Sequence, residues 1–215
     1  MSSSSLPFRA AALVVVLAAL ALGLLAARHF AQPPAPPPEF RSAAAYPEPR
    51  ALPAVVVSNA AGQVAPATTQ LRGRWRLVFF GFTHCPGVCP AALQTLDHAL
   101  RQLQDLPPAQ RPVVTLLSVD PRRDTPAVIG SYVKAFNPAF EGYTGEESAM
   151  DELAGVVGVA VMRQEPDANG DYMVDHTSAV FVLDPAARVR GILTAPLTAA
   201  NIAHDYRLML RPAAP

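Results

Sequence analysis

The sequence predicts an α/β fold in which helices flank a layered sheet with a mainly parallel core. Three apolar runs, 76–82, 112–120 and 178–184, have the continuous hydrophobicity of strands that are buried on both faces. Helix-like stretches lie between these runs, and such alternation along a chain favours parallel strand pairing. The third run is followed, after a short turn, by 189–195, which we interpret as its hairpin partner.

Helical and hairpin signals complete this pattern. The first predicted helix has leucines at i, i+3, i+7 and i+10 from Leu93, which form one helical stripe. Asp124 precedes the second helix and is predicted to be its N-cap. The segment 165–172 has Asn-Gly turn chemistry and is predicted to close a β-hairpin before the third buried strand. The predicted helices are 90–104, 125–136, 146–158 and 198–210.

The N-terminal region is predicted to lie outside the globular domain. After a short tail (1–9), residues 10–27 are uncharged and almost entirely apolar, and they are long enough to span the hydrocarbon core of a membrane. We predict a transmembrane anchor, or uncleaved signal, at 10–27; removal as a signal peptide is the alternative. A Pro-rich stalk (28–50) and a domain (51–211) follow. This organisation predicts a single-pass protein of the inner (cytoplasmic) membrane whose domain faces the periplasm or exported side.

Composition argues against several function classes. The chain has 17 Lys and Arg residues against 17 Asp and Glu residues and no basic run, so no nucleic-acid partner is expected. It contains neither a G-x-G-x-x-G nor a Walker sequence, so nucleotide binding has no support. Its two cysteines are too few for a closed zinc or iron–sulfur site built on four cysteines.

Both cysteines, Cys85 and Cys89, lie between the first buried strand and the first helix. Pro86 and Pro90 fit a helix entrance but not a helix interior, so we expect a loop that runs into the first helical turn. The partial positive charge and unpaired N–H groups of that turn favour thiolates. A redox-active pair, a metal site and a structural disulfide all stay open. The short loop argues against the disulfide, because its entropic stabilisation is small.

A metal site at this pair needs at least one further donor. Two thiolates and one imidazole form a three-coordinate site that Cu(I) tolerates, and an added ligand would suit Cu(II). His176 is the best candidate, because it immediately precedes the third buried strand and that strand can bring it to the cysteines. His84 is adjacent to Cys85 and is the second candidate. The alternative for His176 is that it binds no metal and is either exposed or bonded to Asp175. The remaining histidines, interpreted as flanking, solvated or capping residues, are His29, His98 and His204.

Three separated motifs, in this order, resemble the SCO/SenC copper-chaperone family: FFGFTHCPGVCPAAL, SVDPRRDTP and DYMVDHTSAVFVLDP. The resemblance covers roughly 71–210, and the anchor and stalk that precede this range are also similar to those of membrane-tethered members. It implies a thioredoxin-like sheet with flanking helices and an inserted β-hairpin, preceded by one transmembrane helix. It also implies that Asp120 and Asp124 support the site from a loop without acting as ligands.

The same resemblance implies a function. Cys85, Cys89 and His176 are expected to bind one copper ion per domain, as Cu(I) or Cu(II), and the cysteines are also expected to be a redox-active pair. The implied role is to assist assembly of the binuclear copper (CuA) centre of cytochrome c oxidase, by delivering copper, by reducing the target cysteines, or both. The implied partners are the CuA-bearing oxidase subunit and a copper-donor protein.

Two other functions use the same residues. A copper-independent thiol–disulfide oxidoreductase of the exported compartment needs the cysteine pair but not His176. A copper or redox sensor needs all three residues, and the sequence does not separate it from an assembly factor. Catalysis in the strict sense is expected only if the pair reduces target disulfides.

Overall fold

The computed structural model describes residues 6–30 and 39–211. The chain divides into two units, and the boundary between them lies after Pro38. The part of the predicted stalk over 31–38 therefore lies outside the described residues.

Helix α1 (Leu6–Phe30) is the described element of the first unit. It contains the segment 10–27 and begins inside the predicted tail, of which residues 1–5 lie outside the described part. Within the residues that the structure describes, no helix combines the length and the apolar content needed to cross a membrane. The transmembrane anchor therefore stays a prediction.

The second unit is built on an eight-stranded sheet and a separate two-stranded hairpin. Its strands, in chain order, are β1 (Ala43–Ala51), β2 (Val56–Asn59), β3 (Val64–Pro66), β4 (Arg76–Gly81), β5 (Val113–Ser118), β6 (Glu141–Thr144), β7 (Val161–Arg163), β8 (Val174–His176), β9 (Val180–Leu183) and β10 (Arg188–Leu193). Its helices are α2 (Ala67–Gln70), α3 (Val88–Gln102), α4 (Pro126–Phe136), α5 (Glu147–Val157) and α6 (Ala199–Met209), with one 3₁₀ turn at Pro108–Gln110.

The large sheet is mixed, in the order β1-β10-β9-β4-β5-β6-β2-β3. Parallel pairing joins β4 to β5 and β5 to β6, whereas β9 runs antiparallel to β4. The prediction of a mainly parallel core is therefore correct only for β4, β5 and β6. The predicted hairpin β9–β10 is confirmed, and β10 therefore runs in the same direction as β4.

Strand β1 corrects the predicted domain boundary. The stalk was expected to reach residue 50, but Ala43–Ala51 pairs with β10 at the edge of the sheet. Pro47 and Pro49 are tolerated there because an edge strand does not need every N–H group for pairing, and the register shifts between Ala45 and Arg50. The sheet therefore begins before residue 51.

The core lies around β4 and β5, every residue of which is buried. Helix α3 presents the predicted leucine stripe to this core: Leu93, Leu96 and Leu103 are buried, and Leu100 packs against them. Helices α3 and α6 pack against each other, and α4 packs beside β6. Since the carboxyl ends of β4 and β5 are in register at Gly81 and Ser118, the loops that follow these strands lie side by side.

The predicted hairpin is also confirmed. Strands β7 and β8 pair antiparallel, and Val161 lies opposite His176. The connecting turn contains Gly170 at φ +85°, and the Gly170 N–H donates to the carbonyl of Asp167 at 3.0 Å. This left-handed backbone conformation favours glycine, in agreement with the turn predicted from the Asn-Gly pair.

Candidate metal centre

The cysteine motif occupies the connection between β4 and α3, as predicted. Cys85 lies in the loop with 8% of its surface exposed, and Cys89 lies in the first turn of α3 with 0% exposed. Gly87 is the N-cap residue and has no side chain to cap the helix. The N–H group of Cys89 instead donates to Cys85 Sγ over 3.3 Å. The Cys85 sulfur therefore accepts from one of the N–H groups that have no partner within the first turn of the helix. Both cysteines are free thiols.

The two thiols differ in acidity. Burial first, and then the negative charge on Cys85 and Asp124, raise the pKa of Cys89 to about 12. Burial also opposes ionisation of Cys85, but hydrogen bonds from the backbone of residues 87–89 and from the Cys89 thiol outweigh it and lower the pKa of Cys85. Cys85 is therefore the thiol that ionises first, and Cys89 supports its thiolate.

His176, the last residue of β8, is brought to this pair. Its Nε2 lies 3.8 Å from Cys89 Sγ, and its Nδ1 lies 3.2 Å from the carbonyl oxygen of Thr177. A carbonyl only accepts, so the bond assigns the proton to Nδ1 and leaves the Nε2 lone pair directed at the sulfur. The edges of Phe79 and Phe82 face the ring. Burial among them lowers the pKa of His176 and favours the neutral imidazole.

The structure thus places Cys89 in contact with each of the other two residues singled out in the sequence, Cys85 and His176. Their role as metal ligands stays a prediction: in the described part of the chain no group of three or more His, Cys, Asp or Glu side chains has the arrangement of a metal site. The contact between Cys89 and His176 is the element of such a site that the structure provides.

Of the other histidines, His84, His98 and His204 make different contacts or are exposed. His84 is exposed, and its Nδ1 lies 3.1 Å from Thr83 Oγ1 rather than at a sulfur. His98 is exposed on α3, as predicted, and His204 Nδ1 contacts the carboxylate of Asp205 at 2.9 Å. His29 belongs to α1, and its side chain lies outside the described part.

Gly81 is a site residue that the sequence did not reveal. A Cβ atom at this position would lie 3.0 Å from Cys89 Sγ and 2.9 Å from the ring of Phe79. The absence of a side chain therefore leaves the space that the buried sulfur occupies. A glycine that ends an otherwise bulky apolar strand was the available signal, because such a glycine often marks a close approach.

Asp124 does not have the predicted role of N-cap. Helix α4 is capped by Thr125, whose side chain accepts from the Val128 N–H group at 3.4 Å. Asp124 is fully buried and accepts hydrogen bonds from the hydroxyls of Thr83 and Ser118, each at 2.6 Å. It therefore connects the loop after β5 to the segment that leads into the cysteines. Burial raises its pKa in spite of these donors.

Comparison with known proteins identifies the family of the chain. The SCO1/SenC family model matches residues 56–211, which is most of the chain. The chain belongs to the SCO1/SenC family. The mitochondrial SCO2 homolog of Bos taurus is 40% identical over 117 residues, which are 53% of this chain and 43% of that protein. The chain therefore spans less than half the length of this relative.

Two solved SCO1/SenC structures extend the comparison. Apo Sco1 from Thermus thermophilus is 32% identical, with a TM-score of 0.65 over 80% of this chain and 98% of that one. ScoI from Bradyrhizobium japonicum, solved with copper bound, is 29% identical, with a TM-score of 0.64 over 74% and 99% of the two chains. The mixed sheet and flanking helices match the thioredoxin-like fold of these proteins, as predicted.

Proposed function

We propose that this SCO1/SenC protein is a copper metallochaperone that binds one ion of copper, as Cu(I) or Cu(II), through Cys85, Cys89 and His176. The observation that carries the proposal is the 3.8 Å approach of His176 Nε2 to Cys89 Sγ, with the other ring nitrogen bonded to a backbone carbonyl. Two thiols and an imidazole are a donor set suited to copper. The copper-bound relative supports the choice of metal.

Each donor has a distinct task in this proposal. Cys85 is 8% exposed against 0% for Cys89, so its thiolate is the one that an incoming ion or an acceptor thiol reaches first. Cys89 must lose its proton as the ion enters, because a thiolate is the form that binds a metal. His176 presents a neutral nitrogen that needs no deprotonation. Copper is the cargo, and the residues hold it until an acceptor competes for it.

The proposed acceptor is the CuA-bearing subunit of cytochrome c oxidase, and a copper-donor protein is the proposed source. Family membership supports this assignment. A strain that carries only a Cys85→Ser version should lose oxidase activity and oxidase copper at low external copper. A normal oxidase in that strain would contradict the assembly role.

Copper binding is tested with the full chain in detergent. Wild-type protein should bind one equivalent of copper and show a thiolate-to-Cu(II) charge-transfer band. His176→Ala should weaken Cu(II) binding at least about tenfold, as loss of one of three ligands implies. His98→Ala removes an exposed histidine from α3 and is the matched control. Wild-type affinity in His176→Ala would show that the ligand assignment is wrong.

A second function, reduction of target disulfides, is favoured by the unequal acidity of the two thiols. The Cys85 thiolate would attack one sulfur of a target disulfide, form a mixed disulfide and release the other target sulfur as a thiolate. Cys89 would then attack Cys85, release the second target thiol and leave a Cys85–Cys89 disulfide. Two electrons pass to the target, and a thiol reductant of the exported compartment restores the pair.

Reduction and copper binding are separable by experiment. Copper-free protein should reduce a disulfide-containing peptide that represents a CuA-type cysteine pair, and His176→Ala should reduce it at a similar rate. Cys89→Ser should stop at the mixed disulfide, which mass spectrometry detects. If neither the mixed disulfide nor reduced peptide forms, the reductase function is excluded.

We further propose that residues 10–27 anchor the protein in the inner membrane, with the domain on the exported side. The apolar, uncharged sequence of this segment supports the proposal, as do the exposed side chains of Leu13, Leu17 and Leu20 in α1. The full chain should stay with membranes after carbonate extraction, and a chain that begins at Glu39 should not. Release of the full chain would contradict the anchor.

A further inference from the structure

The hairpin that carries His176 is not part of the large sheet. Among the residues that the structure describes, strands β7 and β8 pair only with each other. A two-stranded hairpin by itself is at best marginally stable in water. Ladder hydrogen bonds therefore do not fix the position of His176 relative to the cysteines, and contacts of the side chains must do so.

The β8 side of the hairpin is attached to Asp120, which follows β5. Asp120 is fully buried, and its two carboxylate oxygens accept from Tyr172 Oη at 2.5 Å and from Arg123 Nε at 2.5 Å. Arg123 also donates to the carbonyl of Tyr172 at 2.9 Å, and its guanidinium lies 3.7 Å from the centre of the Tyr172 ring. These three side chains form a closed set of contacts, which we call the latch.

The β7 side is attached to the same loop. Arg163, the last residue of β7, donates to the carbonyl of Val119 at 2.9 Å and pairs with Asp151 of α5 at 2.7 Å. Both strands of the hairpin therefore contact the 119–123 segment. On the sulfur side, Asp124 connects the next position of this loop to Thr83, two residues before Cys85. The loop after β5 thus contacts both the hairpin that carries His176 and the segment that leads into the cysteines.

We propose that Asp120, Arg123 and Tyr172 are positioning residues, and that their latch holds His176 at the cysteine pair and so controls how firmly Cu(II) is retained. The inference rests on the proposed copper site. With the latch closed, two thiols and one imidazole face the same ion. With the latch open, the hairpin moves and two thiols remain, a set that still suits Cu(I) but serves Cu(II) poorly.

The test uses two variants with matched controls. Tyr172→Phe removes one hydroxyl and keeps the ring, and Arg123→Ala removes the cation. Tyr46→Phe changes a tyrosine on β1, and Arg122→Ala removes a neighbouring arginine that pairs with Glu147 at the surface. Both controls leave the latch intact.

The first measurement needs no copper. Amide hydrogen exchange should be several-fold faster in the hairpin of both latch variants, for example at Gln164, whose N–H group donates to the carbonyl of Met173 at 2.8 Å. The central strands and both controls should keep wild-type exchange rates. If the hairpin amides of Tyr172→Phe and Arg123→Ala exchange at the wild-type rate, the latch does not hold the hairpin.

The second measurement separates positioning from general destabilisation. Tyr172→Phe should weaken Cu(II) binding about tenfold, as loss of a hydrogen bond to a buried carboxylate implies, and should weaken the charge-transfer band. Cu(I) affinity, measured by chelator competition, should change much less. In a His176→Ala background, Tyr172→Phe should not weaken Cu(II) binding further, because Tyr172 acts on the copper site through His176.

The outcomes are distinct. Equal losses of Cu(I) and Cu(II) affinity, or losses that add to those of His176→Ala, would overturn the positioning role. If wild-type protein binds no copper, the proposed function fails, and the exchange measurement still decides whether the latch fixes the hairpin.

Discussion

The two ends of strand β4 hold buried polar groups in different ways. At the first residue, Arg76 is 3% exposed, and each guanidinium nitrogen has a partner. Its Nε donates to the carbonyl of Leu71 at 2.8 Å, and Nη1 donates to Thr115 at 2.9 Å and to Glu141 at 2.6 Å. Nη2 reaches the carbonyl of Gln70 at 3.3 Å. This end is a closed network.

The other end, where β4 runs into the cysteine loop, is open. Cys89 is fully buried, and its sulfur has a hydrogen bond with the Phe82 backbone, the neighbouring thiol and the weak 3.8 Å contact to His176 as partners. Tyr132 points a buried hydroxyl near the same thiols and finds no hydrogen-bond partner for it among the described residues. A closed network stabilises the fold, whereas buried donors without full partners indicate a place where a ligand is completed.

The largest effect is expected at the closed end. Arg76→Ala removes the donor of Thr115 and of two carbonyls and one of the donors of Glu141, and should lower the free energy of unfolding by about 3–5 kcal/mol. Arg74 pairs with the same glutamate but is 55% exposed, so Arg74→Ala should cost less than about 1 kcal/mol. Urea denaturation measures both. Similar losses in the two variants would mean that burial of the network is not what stabilises this end.

A smaller effect is expected from filling the space beside the open end. Gly81→Ala places a Cβ atom against Cys89 Sγ, and such overpacking should cost about 1–3 kcal/mol and weaken copper binding. Gly155→Ala, in an open position on α5, should be neutral or slightly stabilising because alanine favours helices. Denaturation and copper titration of both variants make the comparison. Unchanged copper affinity in Gly81→Ala would show that the sulfur does not need this space.

The stabilising effects of one carboxylate at each end, the partly buried Glu141 and the fully buried Asp124, should respond to pH in opposite directions. Burial alone would raise the pKa of Glu141, but Arg76 lowers it overall, so its stabilisation is present above the ordinary glutamate value of about 4.3 and is lost as pH falls. Burial raises the pKa of Asp124, so its contribution is largest at low pH and is lost as pH rises through the raised value.

This contrast is measured with Glu141→Gln and Asp124→Asn. Between about pH 6 and pH 3, the stability advantage of wild type over Glu141→Gln should shrink, and that over Asp124→Asn should grow. Chemical denaturation at several pH values gives both differences. Slopes of the same sign would show that the two carboxylates do not differ in environment.

The smallest effect is expected at Tyr132. Its buried hydroxyl has no partner among the described residues, so Tyr132→Phe should leave copper-free protein unchanged or slightly more stable. Tyr206 is the control, because its hydroxyl donates to the carbonyl of Gln110 at 2.6 Å and Tyr206→Phe should cost about 1 kcal/mol. A clear loss of thermal stability in Tyr132→Phe would mean that this end is closed as well.

Several features were predictable because they depend on neighbours in the sequence. Strands β4, β5 and β9 are continuous apolar runs, and the leucine spacing after Leu93 sets the buried face of α3. The cysteine loop follows from two prolines at a helix entrance. Strands β1, β2 and β3 were missed, because they are short or lie at an edge and β1 contains two prolines.

Other features depend on residues that are distant in the chain. The predicted N-cap role of Asp124 is wrong. An aspartate before a helix is usually its cap, but here the register of β4 and β5 brings Thr83 within reach of Asp124. Tyr172 and Asp120 meet 52 positions apart, and no local pattern marks them as partners.

The sequence by itself determined where the thiols lie: a buried strand, two prolines and an amphipathic helix place Cys85 and Cys89 at a helix N-terminus through local geometry. It also supplied the motifs of the SCO1/SenC family. Tertiary structure decided which histidine meets them, since Cys89 and His176 are 87 positions apart. Their approach depends on packing of the hairpin against the loop after β5, and such long-range contacts are fixed by the whole fold rather than by any local pattern.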